Sequence, residues 1–282
     1  MDQPLIRPEI VDHYGRYEEA ARLTGNYGTL ELVRTQEILL RVLLPPPGCV
    51  VDVGGGPGVY ATWLAGLGYE VHLIDPVPHH IEQAIEREAA AGVSLASATC
   101  GAAARIELDD GSADAVLLMG PLYHLQDRKE RLGALAEARR VLRPGGLLAA
   151  AAITRFAAVL DALDRGFIDD PAFMEMVTAG LKDGRHNNLT DNPGYFTTAY
   201  FHLPDELSCE LETAGYEEVE VLAVEGVGWI ARDFADRLEQ QGPRQTMLDL
   251  IRRVETVPSL LGMSPHLLAL GRAPVATAGP AR

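Results

Sequence analysis

The sequence predicts an α/β fold in which helices cover both faces of a doubly wound, mostly parallel sheet. Three observations carry that expectation. Between residues 49 and 153, short apolar runs alternate with helical patterns, the rhythm of consecutive βαβ units. The first run, Cys49-Val50-Val51-Asp52-Val53, opens directly into Gly54-Gly55-Gly56-Pro57-Gly58 and then a helical pattern with Tyr60, Trp63, Leu64 and Leu67. That is a buried strand, a tight turn and a helix N-terminus in one stretch. The second run, 69–74, ends on Asp75 and Pro76, which sets an acid at the tip of the neighbouring strand.

Taken in order, residues 8–24 read as a helix broken by Gly25-Asn26-Tyr27-Gly28. Residues 29–43 read as a second helix, with Leu30, Leu32, Val33, Ile38, Leu39 and Leu43 as its apolar positions. Pro45-Pro46-Pro47-Gly48 closes this N-terminal unit. Strands are expected at 49–53, 70–74, 94–99, 115–119 and 147–153, and helices at 57–67, 78–91 and 127–142. Residues 154–203 interrupt the rhythm. Helical pieces at 156–163 and 171–181 precede the polar loop 183–188 and a stretch, 192–202, dense in aromatics and imidazoles. This insert follows the fifth strand, on the side where doubly wound sheets bind ligands, and is the expected substrate cap. A helix at 204–214, a strand at 218–224, a turn at Gly226-Val227-Gly228-Trp229, a helical stretch at 231–254 and a last strand at 266–271 complete seven strands. The tail from 273 is expected to fray. The expected organisation is therefore 1–48 N-terminal helices, 49–153 core, 154–203 cap, 204–272 C-terminal part of the sheet and 273–282 tail.

Composition narrows the function classes. With 282 residues and 47% apolar content the chain can bury a substantial core. A net charge of −16 with no Lys/Arg cluster argues against nucleic acid or an anionic membrane as partner. The cysteines, Cys49, Cys100 and Cys209, have no metal spacing and read as buried free thiols of a reducing cytoplasm. Residues 1–4 do not read as a secretory signal, and the longest apolar run, 146–153, is too short to span a bilayer. A cytoplasmic protein without membrane contact is expected, and a homodimer is compatible with the insert.

The glycine loop permits positive φ and close approach of backbone N–H groups at the positive end of a helix, which suits a polar or anionic group. A dinucleotide fingerprint, G-x-G-x-x-G, would need its third glycine where Val59 stands, which disfavours a nicotinamide oxidoreductase. Asp75, about 20 residues past the loop, is placed to accept hydrogen bonds from both ribose hydroxyls of a nucleoside.

Four motifs stand in a fixed order: Asp52-x-Gly54-x-Gly56-x-Gly58, Asp75, Gly120-Pro121-Leu122-Tyr123-His124-Leu125 and Leu142-Arg143-Pro144-Gly145-Gly146. Over roughly residues 45–153 the chain thereby resembles class I S-adenosylmethionine (SAM)-dependent methyltransferases of the small-molecule type. The resemblance implies a Rossmann-like sheet of seven strands whose last strand inserts antiparallel between the fifth and sixth. It implies SAM as cofactor, held by Gly54, Gly55, Gly56, Gly58, Asp75, Pro76, Ala102, Ala103, Met119 and Gly120. It also implies leading helices folded over the cofactor, with Tyr14 and Arg34 toward it and Tyr17 toward the acceptor. One stretch departs from the family. Where relatives carry Gly-Asp-Ala, this chain has Gly101-Ala102-Ala103-Ala104, so adenine would be held by backbone and apolar walls, or by Asp109 or Asp110 from the next loop.

Methyl transfer from a sulfonium is an in-line displacement, and the enzyme's main work is alignment and exclusion of water. A base is needed only when the nucleophile carries a proton. His124, just past the fourth strand, is the candidate general base, and an ordinary imidazole pKa near neutrality suits that work. His186 and His202 are the runners-up, and His13, His72, His79, His80 and His266 read as structural or exposed. The acceptor is expected to be a small molecule with an O-, N- or C-nucleophile, within a biosynthetic pathway. Tyr17, Tyr123, His186, Tyr195, Tyr200, His202 and Trp229 are expected to enclose it. A regulatory protein of the same fold that retains SAM without transferring its methyl is the alternative. An amino-methylating DNA enzyme is disfavoured, since Met119-Gly120-Pro121-Leu122 replaces its N/D-P-P-Y/F run.

Overall fold

The computed structural model describes residues 6–16, 19–23 and 25–275. The leading segment is α1 (Pro8–Arg16), α2 (Glu19–Arg22) and α3 (Asn26–Val42). Residues 17 and 18, inside the helix expected over 8–24, lie outside the described residues, and the next helix starts at Asn26, earlier than expected, with Gly28 inside it. The core then alternates β1 (Cys49–Val53), α4 (Val59–Gly66), β2 (Glu70–Asp75), α5 (Pro78–Ala91), β3 (Ser97–Cys100), β4 (Ala113–Leu118), α6 (Pro121–His124), α7 (Arg128–Val141) and β5 (Leu142–Ile153). The fifth strand starts at Leu142, earlier than expected, because Leu142 pairs with Ala113 across an irregularity in the ladder.

The insert contains α8 (Ala157–Asp164), α9 (Pro171–Asp183), β6 (Arg185–His186) and β7 (Ala199–Tyr200). The chain finishes with α10 (Pro204–Thr213), β8 (Glu217–Ala223), α11 (Phe234–Glu239), α12 (Gln241–Arg252), α13 (Pro258–Leu261) and β9 (His266–Arg272). The stretch expected as one helix over 231–254 breaks at Gln240. Pro243 lacks an N–H to donate, so it fits only the first turn of a new helix.

The main sheet has seven strands in the order β3-β2-β1-β4-β5-β9-β8. Neighbours from β3 through β5 run parallel. β9 inserts antiparallel between β5 and β8. Alternate residues of the same strands feed two cores. Val51, Val53, Val116 and Leu118 pack on one face beneath α7 and α10. Val50, Ala115 and Leu117 pack on the other, beneath α3, α4 and α5. Strands buried on both faces read as unbroken apolar runs, which is why these were visible in sequence. The insert has an apolar cluster of its own, with Phe173, Met176, Val177, Tyr195 and Phe201.

One detail corrects the sequence expectations. Cys100 and Cys209 are exposed rather than buried, and only Cys49 is partly covered. Among the described residues no helix is long and apolar enough to cross a membrane.

Candidate functional site

The strand order reverses between β1 and its neighbours β2 and β4, and a cleft opens at their carboxyl ends. Its cavity volume is about 130 Å³. Gly54, Gly55, Gly56, Asp75, Pro76, Ala102, Ala103, Met119, Gly120 and Tyr14 all line it. Gly54 sits at φ +70, and a Cβ there would lie 2.6 Å from Pro121 Cδ, so the turn needs glycine for conformation and for contact with α6. Gly58, expected at the cofactor, does not line the cleft. It is the left-handed N-cap of α4, with φ +75 and Ala84 3.0 Å from where its Cβ would be, so its job is packing α4 against α5.

The loop amides are largely committed inside the protein. Gly54 N donates to Ile74 O (2.7 Å), Gly58 N to Gly55 O (3.0 Å) and Gly56 N to Asp75 Oδ2 (2.9 Å). Asp75 Oδ1 accepts from Val77 N (2.9 Å) and faces His80 Nδ1 (3.0 Å). The loop therefore offers a ligand open space more than free donors, and Asp75 is fixed before any ligand arrives. Beneath the loop, Asp52 is fully buried, with a contact from the backbone of Ala61 favouring its charged form. Burial, helped by the nearby charge of Asp75, lifts its pKa to about 7.

A second chamber, with a cavity volume of about 440 Å³, lies on the side of the insert. Tyr14, Glu19, Arg22 and Tyr123 line both spaces and form the wall between them. Tyr123, His186, Tyr195 and Trp229, all expected around an acceptor, line this chamber together with Phe173 and Phe196. His186 is buried, with Nε2 2.7 Å from Tyr195 O, and burial lowers its pKa. Phe196 holds φ +63 and ψ −167, a strained conformation for a side chain of this size. Its ring lies 5.9 Å from that of His124.

Three expected residues lie elsewhere, and one cannot be placed. Arg34 is fully buried away from the cleft, donating from Nε to Val224 O (3.0 Å) and pairing with Glu37 and Glu255. It ties α3 to the C-terminal part of the chain. The Tyr200 ring lies 3.7 Å from the Arg131 guanidinium, and its hydroxyl donates to Glu206 (3.2 Å). His202 is fully buried with Nε2 3.3 Å from Glu210. Both belong to an ion-pair cluster joining α7 to α10, because Glu210 also receives both Nε (2.9 Å) and Nη2 (2.7 Å) of Arg131. Tyr17 falls outside the described residues. Neither Asp109 nor Asp110 lines the cleft, and Asp110 pairs with Arg140 (2.5 Å).

His124 ends α6 at the cleft, with Nε2 2.7 Å from the Tyr14 hydroxyl. Burial pulls its pKa down to about 4, against the backbone of Thr198, which favours the protonated ring. This corrects the expectation of a value near neutrality. The same burial raises Tyr14 well above its ordinary value, so its hydroxyl stays neutral.

Several polar groups here had no distinctive local pattern. Arg22 pairs with Glu31 (2.5 Å) and Glu19 (2.6 Å) at the wall between the spaces. His266 Nδ1 lies 2.5 Å from Glu225 and 3.7 Å from Glu31 at the far side of the chamber. Burial alone would lower its pKa, but those two carboxylates hold it at about 9. His13 lines the chamber. His80, read from sequence as structural or exposed, lines the cleft and is 3% exposed. Its available signal was position: Pro78 begins α5, which sets His80 in the first turn, facing back to the tip of β2.

Residues 51–150 match the family model described as a methyltransferase domain. An uncharacterized methyltransferase of Mycobacterium tuberculosis is 38% identical over 99 residues, which is 35% of this chain and 37% of that protein. The chain thus matches well under half the length of that relative. A solved structure from Thermotoga maritima, a SAM-dependent methyltransferase described as a possible histamine N-methyltransferase, aligns with a TM-score of 0.55 at 20% identity. It covers 94% of this chain and 99% of that one. Phosphoethanolamine N-methyltransferase 1 of Haemonchus contortus, solved with phosphoethanolamine and S-adenosylhomocysteine, aligns with a TM-score of 0.58 at 18% identity, over 96% of this chain and 49% of that one. The fold is that of the Rossmann-like methyltransferases, and its core carries a methyltransferase domain.

Proposed function

We propose that this chain transfers the methyl group of S-adenosylmethionine to a small-molecule acceptor with an oxygen, nitrogen or activated carbon nucleophile, in a biosynthetic reaction. The observation that carries the reading is the shared wall. A cleft at the carboxyl ends of β1, β2 and β4 meets an aromatic-lined chamber at Tyr14, Glu19, Arg22 and Tyr123. Donor and acceptor would meet where those four residues border both spaces. The polar groups of the cleft fit a nucleoside: Asp75 offers a fixed carboxylate, and His80 Nε2 is buried with no hydrogen-bond partner among the described residues.

When bound, the cofactor supplies an electrophilic methyl whose leaving group departs neutral. Asp75, Pro76, Ala102, Ala103, Met119 and Gly120 would hold it. Tyr14 and Tyr123 exclude water at the wall, where alignment contributes most of the acceleration. The chain's own groups also handle a proton. His124 Nε2 accepts a hydrogen bond from the Tyr14 hydroxyl, and Tyr14 lines both spaces. An acceptor O–H or N–H at that hydroxyl gives its proton to Tyr14 Oη while the phenolic proton of Tyr14 passes to His124 Nε2. The acceptor's lone pair makes the bond to carbon before or as that proton leaves. The chamber's aromatic lining and the −16 charge support a small, partly aromatic acceptor over a nucleic acid.

The test is calorimetric titration with S-adenosylhomocysteine, followed by incubation with SAM and a panel of phenols, amines and carboxylic acids. The expected result is a Kd on the order of micromolar and formation of S-adenosylhomocysteine that one acceptor class accelerates. Tight binding with no turnover on any acceptor would assign the chain to SAM-retaining proteins that do not transfer. No binding at all would remove both readings.

A further inference from the structure

His80 is a buried imidazole in the cleft with one nitrogen engaged and one not. Its Nδ1 lies 3.0 Å from Asp75 Oδ1. An ionised carboxylate only accepts, so Nδ1 carries the proton. In the uncharged ring that tautomer leaves Nε2 as a bare acceptor. Nε2 is buried and has no hydrogen-bond partner among the described residues. A buried polar atom left unpaired in a cleft calls for a partner from outside the chain.

Counting acceptors at Asp75 shows what that partner is. A carboxylate offers about four acceptor positions. Three are occupied, by Gly56 N, Val77 N and His80 Nδ1. About one remains, yet a ribose presents two hydroxyl donors. The second donor needs another acceptor within the same corner of the cleft. His80 is hydrogen-bonded to Asp75 and carries an unused acceptor nitrogen, so its Nε2 answers that need.

We propose that His80 Nε2 accepts a hydrogen bond from one ribose hydroxyl of the bound nucleoside, so that His80 and Asp75 read the ribose diol as a unit. The inference rests on the reading of the cleft as a nucleoside site. It also accounts for the tautomer, since the Asp75 contact leaves Nε2 as the nitrogen with the free lone pair. The Tyr14 ring, edge-on at 5.2 Å between centroids, fixes the plane of the imidazole from the other side.

The experiment measures binding by calorimetry at pH 8 with three probes: S-adenosylhomocysteine and its 2′-deoxy and 3′-deoxy analogues. Wild type, His80→Ala and His80→Phe are compared. The phenylalanine keeps the volume and the ring contact with Tyr14 while removing both nitrogens. Wild type is expected to bind one of the two deoxy analogues about 3–10-fold more weakly through loss of the His80 bond, the worth of one hydrogen bond. Both variants are expected to bind S-adenosylhomocysteine about 3–10-fold more weakly and to lose discrimination against that analogue. If His80→Phe keeps wild-type affinity, or penalises both analogues as wild type does, the proposal is wrong while the nucleoside reading stands. If wild type fails to bind S-adenosylhomocysteine, both fall together.

Discussion

Acidification should destabilise this protein through His124 in a defined window. The folded chain holds that imidazole at about pKa 4, against about 6.5 for an exposed histidine in the unfolded chain. Between those values the unfolded state binds a proton that the folded state does not, so stability rises with pH across the window and falls as pH drops from 6.5 to 4. A gap of about 2.5 units corresponds to about 3 kcal/mol, gained fully only above pH 6.5. The perturbation that isolates it is His124→Phe, which keeps an aromatic ring at a site 7% exposed and removes the titration. Losing the imidazole leaves the Tyr14 hydroxyl without its acceptor, an offset of about 1–3 kcal/mol. That offset does not vary with pH here, because Tyr14 stays neutral throughout. Burial also lowers His13, His186 and His202, so the wild-type curve sums several groups. The difference between wild type and variant cancels them. Urea unfolding measured at half-unit steps from pH 4 to 7.5 should show the wild-type advantage shrinking by about 3 kcal/mol toward pH 4. A difference that is flat with pH would refute the burial argument.

The same value governs activity: kcat/KM should rise through an apparent pKa of about 4 and lie flat from pH 6 to 8, and His124→Phe should lower kcat by about 10²–10⁴-fold with S-adenosylhomocysteine affinity little changed, read from steady-state profiles and calorimetry. Asp75→Ala removes the acceptor of two backbone amides and of His80 as well as the ribose contact, and should weaken S-adenosylhomocysteine binding by about 2–4 kcal/mol; unchanged affinity in calorimetry would sink the ribose assignment. Arg34→Met strips a fully buried guanidinium from Glu37, Glu255 and Val224 O, and should destabilise the fold by about 3–5 kcal/mol in urea titration while the affinity of the folded fraction for S-adenosylhomocysteine stays within about twofold.

How much of this was legible in the sequence follows from the range of the forces involved. The seven strands, the glycine turn and Asp75 were readable because each is a local pattern, an apolar run or a φ requirement within a few residues. The orientation of the insert was not. Tyr195 and Tyr200 look equivalent in sequence, yet Tyr195 lines the chamber while Tyr200 packs on Arg131. Nothing local announces Arg131 as its partner. Arg34 failed for the same reason, since its bonds to Val224 and Glu255 span 190 and 221 positions. Its place on the leading helices suggested a lid, and its burial against the C-terminal helices overrides that. His124 was found by motif, but its pKa depends on burial and on contacts from the insert and from α1. The expected value near neutrality described an isolated imidazole.

That depressed pKa constrains when the proposed base can act. Taking a proton from a phenol of pKa about 10 before methyl transfer would leave an imidazolium of pKa about 4, uphill by about 6 units or about 8 kcal/mol. A base this weak cannot prepare the nucleophile in advance. Once carbon bonds to a hydroxyl oxygen, however, the remaining proton becomes far more acidic, and transfer through Tyr14 to His124 runs downhill. Proton loss must therefore accompany or follow bond formation to carbon. Burial keeps His124 uncharged at neutral pH. In the proposed reaction catalysis then depends on the alignment of donor and acceptor where the two spaces meet, and His124 would take up the proton that the product would otherwise retain.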